Sequence, residues 1–370
     1  MPEGIHIVSF DVPFPPDYGG VIDVYYKAKA LADLGIKVKL HCFAYGRSKQ
    51  SAVAKDFDEV IYYERKLSAG AMLSKTPFIV KTRKSQELLD NLLKNDWPIL
   101  FEGLHTCAWL DHPKLKDRFK IVRTHNIEHD YYARLGRSEK SVFRKQYFKA
   151  EAKKLRAFEK VLTKNQKILA ISQGDQAYFE KKYGKTDLIY PFHPEFVMPR
   201  KGKGDYAFYH GKLEVSENQE ALDFLVNKVF SQSKIPLVVA GKGSEKDVAP
   251  FRNSGANVTY HLNPNAKEMK SLSQEAGVHV LPTFQTTGFK LKLLYSLQNE
   301  VEVIVNEAMV KNTGLENLVT KVKTPEQFRK AIKKALISPL SETKIKKRKE
   351  LLELHYSNSQ QAKRIIDLLD

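Results

Sequence analysis

Two α/β domains, each a doubly wound parallel sheet, are expected from the order of apolar segments along this 370-residue chain. Short apolar runs of strand length alternate with stretches of helical spacing. That alternation is the grammar of βα units, and it puts helices on both faces of a parallel sheet. It is interrupted once, at 191–205 (PFHPEFVMPRKGKGD), where proline, glycine and charge accumulate. A chain of this length also exceeds what one hydrophobic core ordinarily serves. The expected organisation is a domain over 1–190, a linker over 191–205, a second domain over 206–350 and a terminal helix over 351–370.

In the first domain, IHIVSF (Ile5 to Phe10) reads as a strand. A loop rich in proline and glycine follows. Val21, Val24, Tyr25, Ala28, Leu31 and Ala32 then recur at helical spacing, and Gly35 stops that helix. Strands are expected at 37–43, 98–101, 120–123 and 167–172, with helices at about 85–94 and 140–164. In the second domain, strands are expected at 206–209, 236–240, 257–261, 278–281 and 301–305, and helices at 219–230 and 288–298. Thr324 and Gln327 form a capping-box pattern with proline at the first helical position. The tail over 341–370 is helical and highly charged. Sheets of this kind bind ligands at the carboxyl ends of their strands, so a cleft between two such domains is the expected site.

Composition narrows the class. Hydrophobic residues make up 42% and charged residues 28%, as in a globular domain. No apolar run reaches the roughly 18 to 20 residues that span a bilayer. MPEGIHIVSF lacks the basic start and long apolar stretch of a secretory signal, so a cytoplasmic setting is expected. Cys42 and Cys107 lie in apolar surroundings and read as buried free thiols. No His/Cys spacing suggests a metal site. The net charge of +18 points to an anionic partner: nucleic acid, an anionic membrane face or a phosphorylated substrate. No basic stretch interleaved with stacking aromatics marks a nucleic-acid module, so nucleic acid is not an expected partner.

Several stretches carry candidate chemistry. Gly19 and Gly20 stand between the first strand and the first helix, where free N–H groups favour an anion and absent side chains permit close approach. A plain tight turn is the alternative. Tyr209-His210-Gly211-Lys212 follows the first strand of the second domain and places a glycine and a cation where a diphosphate can sit. Thr287-Gly288-Phe289-Lys290-Leu291-Lys292 opens a later helix; lysines there oppose the helix dipole, which favours a role in phosphate binding over mere surface placement. His105 and His125 each follow a strand end and are expected to point into the cleft. Glu128 reads either as a catalytic carboxylate or as a helix-starting acid, and His129 stays open between function and structure.

The ordered set of segments resembles the family-four group of GT-B glycosyltransferases, also called glycosyl transferases group 1. The matching pieces are the Gly-Gly loop, LHTCAW, VRTHNIEHDYYARLG, ILAISQGDQAYF, FYHGKLEVSENQEALDFL, LVVAGKG, VHVLPTFQTTGFKLKLL and NTGLENLV, covering most of residues 5–320. The resemblance implies two Rossmann-like domains facing a cleft, with the C-terminal helix packing back on the N-terminal domain. It implies transfer of a sugar from a nucleotide-diphosphate sugar, held by the second domain, to a glycan or lipid-linked acceptor against the first. The family usually retains configuration, and neither a metal nor a cofactor is expected. By resemblance, Gly19 and Gly20 approach the donor, and Lys212 matches the cation of the family's G-R/K-L. Lys292, with Lys290, matches its G-x-K-x-K helix, and His105 matches the histidine that contacts the donor sugar. His125 and Glu128 complete the expected catalytic set, and Gly211, Thr287 and Gly288 the donor set. The sequence departs from the family where Thr287 and Tyr295 replace paired glutamates, where Glu217-Asn218 replaces a second cation, and where Phe192-His193-Pro194-Glu195 replaces N-G-V-D. These departures leave a second reading, a non-catalytic sugar- or nucleotide-binding homologue.

The basic excess concentrates at 137–167, with eleven Lys and Arg against three Glu. Val142, Phe143, Tyr147, Ala150, Leu155, Phe158 and Leu162 make an apolar side. Such a helix either rests on an anionic membrane face or packs its apolar side on the sheet and solvates its lysines.

Overall fold

The computed structural model describes residues 2–49, 55–139, 141–195, 199–201, 204–285 and 288–369. The chain divides into two units. One comprises Met1–His193, Thr287–Phe289 and His355–Asp370; the other comprises Pro194–Thr286 and Lys290–Leu354.

The first unit is built on β1 (Gly4–Ser9), β2 (Lys37–Ala44), β3 (Glu59–Glu64), β4 (Ile99–Glu102), β5 (Lys120–Thr124), β6 (Lys167–Ala170) and β7 (Thr186–Leu188). They pair in the order β3-β2-β1-β4-β5-β6-β7, all parallel. Every residue of β1, β4 and β5 is buried, which is why these strands read as continuous runs and not as alternations. The direction of winding reverses between β1 and β4, so the strand ends part there and leave room for a ligand. The helices are α1 (Gly19–Asp33), α2 (Ala69–Leu73), α3 (Phe78–Lys81), α4 (Gln86–Leu92), α5 (Glu128–Ser138), α6 (Val142–Phe158) and α7 (Gln173–Tyr183). Gly35 takes a positive φ of 89° just past α1, the conformation that stops a helix. The expected helix at 140–164 is α-helical only to Phe158; Glu159–Lys164 tightens into a 3-10 turn. There the Glu159 carboxylate is buried and accepts hydrogen bonds from Tyr178, Tyr183 and Lys182, which draws the chain inward.

The second unit repeats the plan with β8 (Ala207–His210), β9 (Leu237–Gly241), β10 (Val258–Leu262), β11 (Val278–Leu281), β12 (Glu302–Val305) and β13 (Thr320–Lys321). Their order is β10-β9-β8-β11-β12-β13, again parallel, with the reversal between β8 and β11. The helices are α8 (Ser216–Asp223), α9 (Glu245–Val248), α10 (Ala266–Glu275), α11 (Leu291–Leu297), α12 (Glu307–Val310), α13 (Pro325–Ile337) and α14 (Glu342–Tyr356). The stretch expected as one helix over 219–230 is α8 followed by a π-helical segment, Phe224–Phe230. The capping box of Thr324 and Gln327 forms as expected.

The charged tail breaks once. A final helix, α15 (Asn358–Asp367), begins after Ser357, whose side chain caps it. Within the first unit α15 packs on α1, and Ala362, Ile365 and Ile366 join the core that holds Ile5, Leu31 and Leu100. Its polar side meets the chain that leaves β7. Tyr190 N–H donates to Gln361 Oε1 at 2.8 Å, His193 N–H to Asn358 Oδ1 at 3.1 Å, and Asn358 Nδ2 to His193 O at 2.7 Å. Cys42 and Cys107 are free and buried, and burial pushes both thiols up. Ile365 has no exposed surface. Ile365→Ala is therefore expected to destabilise the chain by about 2–4 kcal/mol, read from the urea midpoint by circular dichroism. A loss under about 0.5 kcal/mol, the range of ordinary surface substitutions, would remove α15 from the core.

Candidate functional site

The switch point of the first sheet is where its candidate residues meet. Phe10 follows β1. Gly19 and Gly20 are the first two residues of α1, and Tyr18 before them offers no side-chain cap. A β-carbon on Gly20 would come within 2.7 Å of the Phe10 ring, so this glycine makes room for an aromatic side chain of the same unit. The Phe10 ring centre lies 5.4 Å from His105 and 5.4 Å from His125, packed edge-on to the second. His105 follows β4 through Gly103, which takes φ 68° where a side chain would strain the backbone. Glu128 opens α5, and its Oε1 lies 3.9 Å from His105 Nδ1. Burial raises the Glu128 carboxyl to about 8, with the nearby Glu159 charge adding to the shift. Burial holds His105 well below the usual histidine range, and the Arg83 guanidinium works in the same direction. Both are therefore neutral at pH 7.

Beneath these rings lies a buried charge network. Asp23 on α1 receives Arg123 Nη2 at 3.0 Å and Nε at 3.1 Å, Lys27 Nζ at 3.0 Å and the Phe192 N–H at 2.8 Å. Lys27 also reaches Glu102 Oε1 at 2.7 Å, and the other Glu102 oxygen accepts from His125 Nε2 at 2.9 Å. A carboxylate only accepts, so this contact fixes the proton on Nε2. Burial alone would raise Asp23; Arg123 and Lys27 more than offset it and hold the group below the usual carboxylate range. Oxygen and nitrogen atoms of Asp23, Glu102 and His125 converge within 4.8 Å, a spacing that suits a metal. Here Lys27 and Arg123 already neutralise both carboxylates.

The second unit has its own cluster at the β8/β11 switch point. Gly211 and Lys212 leave β8. A β-carbon on Gly241 would fall 1.7 Å from Gly211 O, so these two strand exits touch backbone to backbone. Lys290 stands at the start of α11 and Lys292 in its first turn, with no acid there to complement the dipole. The compensation comes from α8. Lys290 Nζ lies 3.0 Å from Glu217 Oε1, which also accepts from the Thr283 hydroxyl at 2.6 Å. Lys292 Nζ donates to Asn218 Oδ1 at 2.6 Å and to Tyr209 Oη at 3.2 Å. Burial lowers Lys292 to about 8. Lys212 pairs with Glu214 at 2.8 Å.

The structure thus brings His105, His125 and Gly20 around Phe10 in the first unit, with Glu128 beside His105; in the second, Gly211, the Lys212 carbonyl and Lys292 meet at Asn218, with Lys290 on the neighbouring Glu217. Gly19 opens α1 beside Gly20 but is exposed. Gly288 has a positive φ of 67°, and Thr287 lies outside the described residues. His129 belongs to the framework: its Nδ1 lies 3.0 Å from the buried Glu159 carboxylate. Sequence reasoning passed over Asp23, Lys27, Arg123 and Phe10. The available signal was a charged i,i+4 pair, Asp23 and Lys27, inside a helix whose neighbours are apolar.

No family model matches the chain. It is 25% identical over 336 residues to an uncharacterized 44.6 kDa protein in the cps region of Klebsiella pneumoniae, with 84% of each chain covered. Among solved structures, it is similar to Anabaena HepE in complex with UDP and glucose, with a TM-score of 0.69 at 9% identity over 100% of this chain and 99% of that one. It is also similar to the apo form of the lipopolysaccharide outer core galactosyltransferase WaaB, with a TM-score of 0.63 at 13% identity over 98% of each. Likeness at this level of identity defines the fold: two parallel-sheet, Rossmann-like domains of the GT-B type.

Two outcomes follow from these geometries. Arg123→Met removes one of the two cationic partners of the buried Asp23, with two of its four hydrogen bonds, and is expected to cost about 3–5 kcal/mol, measured by chemical denaturation. Burial raises Glu128 from the ordinary carboxylate range to about 8 in the folded chain, so its contribution to stability is lost as pH rises from that range through about 8. Glu128→Gln is therefore expected to melt higher than the natural chain at alkaline pH and by a shrinking margin as pH falls. A margin independent of pH would show that Glu128 titrates normally.

Proposed function

We propose that the chain is a glycosyltransferase that moves a sugar from a nucleotide-diphosphate sugar to a glycan or lipid-linked acceptor, without a metal and with retention of configuration. The observation that carries this reading is the lysine cluster at the β8/β11 switch point, seated on a GT-B fold. Departure of a nucleoside diphosphate develops negative charge, and preorganised cations at a strand end stabilise it. Lys292 is charged at pH 7 and poised by partial burial to gain from an anionic partner. Lys290 is held by Glu217 until a phosphate takes that place. Lys212 supplies a third cation, and the Gly211 exit lets the diphosphate meet backbone N–H groups.

The first unit supplies groups of a different kind. The neutral Glu128 carboxyl has a proton to share with a sugar hydroxyl, while His125, fixed by Glu102, presents its ring beside Phe10. In a retaining transfer the departing phosphate accepts the acceptor's proton, so no ionised protein base is required. UDP and glucose bound to the structural neighbour support a UDP-sugar donor. The cps-region relative supports a place in polysaccharide assembly. A lipid-linked acceptor would place the protein on the cytoplasmic face of an anionic membrane. Among the described residues no helix is long and apolar enough to cross one.

Calorimetric titration with UDP and GDP tests the donor site. Lys292→Ala is expected to weaken binding roughly ten- to hundredfold at pH 7, the loss that follows removal of a charged hydrogen-bond donor. For the natural chain, affinity should fall as pH rises past 8, where Lys292 loses its proton, and that fall should be absent in the variant. Binding of no nucleoside diphosphate to the folded protein would overturn the transferase reading and leave a scaffold without a donor site.

A further inference from the structure

We infer that α2 and the first half of α6 form a docking surface for an anionic lipid bilayer. The inference rests on the membrane part of the reading above, and its test contains no sugar donor, so its failure would leave the transfer chemistry untouched.

The apolar side expected along 137–167 divides in two. Leu155 and Leu162 are buried and Phe158 packs against the core, whereas Val142 is 70% and Phe143 90% exposed. On α2, Leu73 is 88% exposed, and Leu67 and Met72 beside it are half exposed. Among the described residues, five of the ten exposed large apolar side chains fall in these two short segments. Globular surfaces do expose single apolar residues, but a cluster of this kind calls for a partner.

The two segments are held together. The buried Glu151 carboxylate on α6 accepts from Phe78 N–H, at the start of α3, at 2.7 Å and from Lys154 at 2.9 Å. Lys154 in turn donates to Met72 O at 2.8 Å, and Leu155 packs with Ile79 and Val80. Phe143 lies about 12 Å along the helix axis from this clamp, at 1.5 Å per residue.

Charge selects the partner. Residues 65–84 carry six Lys and Arg and no Asp or Glu; residues 141–158 carry six and a single acid, the buried Glu151. Arg144 and Arg156 already pair with Glu139 and Asp130, so the exposed Lys66, Lys75, Lys145, Lys149 and Lys153 carry the argument. The centres of protein–protein interfaces are poor in lysine, whereas lysines flanking apolar side chains suit the interface of an anionic bilayer, where ammonium groups meet headgroups as the apolar tips sink below them. The surface attaches to a membrane without crossing it.

Flotation of the full chain with vesicles tests this. The protein should rise with mixed phosphatidylglycerol and phosphatidylcholine vesicles, stay down with phosphatidylcholine alone, and release at high salt. The double variant Leu73→Glu and Phe143→Glu should partition at least roughly tenfold less while keeping its melting temperature, because both side chains are exposed. Failure of the natural chain to float with anionic vesicles would overturn the inference. So would unchanged flotation of the double variant, or a change confined to its oligomeric state in light scattering, which would assign this face to a second copy of the chain.

Discussion

The first unit depends on one buried carboxylate. Asp23 sits on α1 with no exposed surface, and its two oxygens receive four donors from three parts of the chain. Arg123 spends its remaining donors on the carbonyls of Ala170, Ile189 and Tyr190, so it ties α1 to the ends of β6 and β7. Isolated, either charge would be intolerable in this interior; together, with every donor placed, they fix one arrangement of helix and sheet. The same network runs on through Lys27 to Glu102 and thence to His125. The orientation of a ring at the candidate site is therefore set by the packing of α1, three interactions away. A cation in this place would be redundant, since the two basic side chains already neutralise both carboxylates.

The second unit solves the corresponding problem with fewer charges. Lysines at the start of α11 oppose the dipole of their own helix, and the opposition is relieved from outside by Glu217 and Asn218 on α8. Glu217 and Lys290 thus set a carboxylate and a cation against each other beside the β8/β11 switch point. Tyr295 packs its ring 4.9 Å from that of His210 and takes part in the core below the site.

The sheets were legible because their strands are buried on both faces and read as short unbroken apolar runs. Of the four edge strands, β10 was expected at 257–261 and the other three were not. β3 (EVIYYE) buries a single residue fully between charged ends, β7 is TDL and β13 is TK, too short or too polar to stand out from a loop. Candidate residues next to glycine or at strand ends fall near the switch points because topology sends such positions there. The Asp23 network was missed because a helical Asp and Lys four apart ordinarily mark a solvated face, and the partner that contradicts this stands 100 positions away. Gly20 was read as a point of close approach for a ligand; in the structure it is the Phe10 ring that lies alongside, and only the fold brings it there.

Phe10 also bears on the two neutral groups of the site, His105 and the Glu128 carboxyl, the second of which would ordinarily be ionised. Its ring lies against both histidines and, with the framework around Glu128, keeps water from solvating charge. Burying an ionisable carboxyl beside Glu159 costs stability at neutral pH and above, and a chain selected for stability alone would carry glutamine there. Strain of this kind concentrates where chemistry needs it. The first unit therefore combines a framework in which Asp23 and Glu102 have cationic partners with a buried carboxyl raised to about 8, beside a histidine held well below its usual range. Such a contrast a few ångströms apart separates the candidate site from the ion network that supports it.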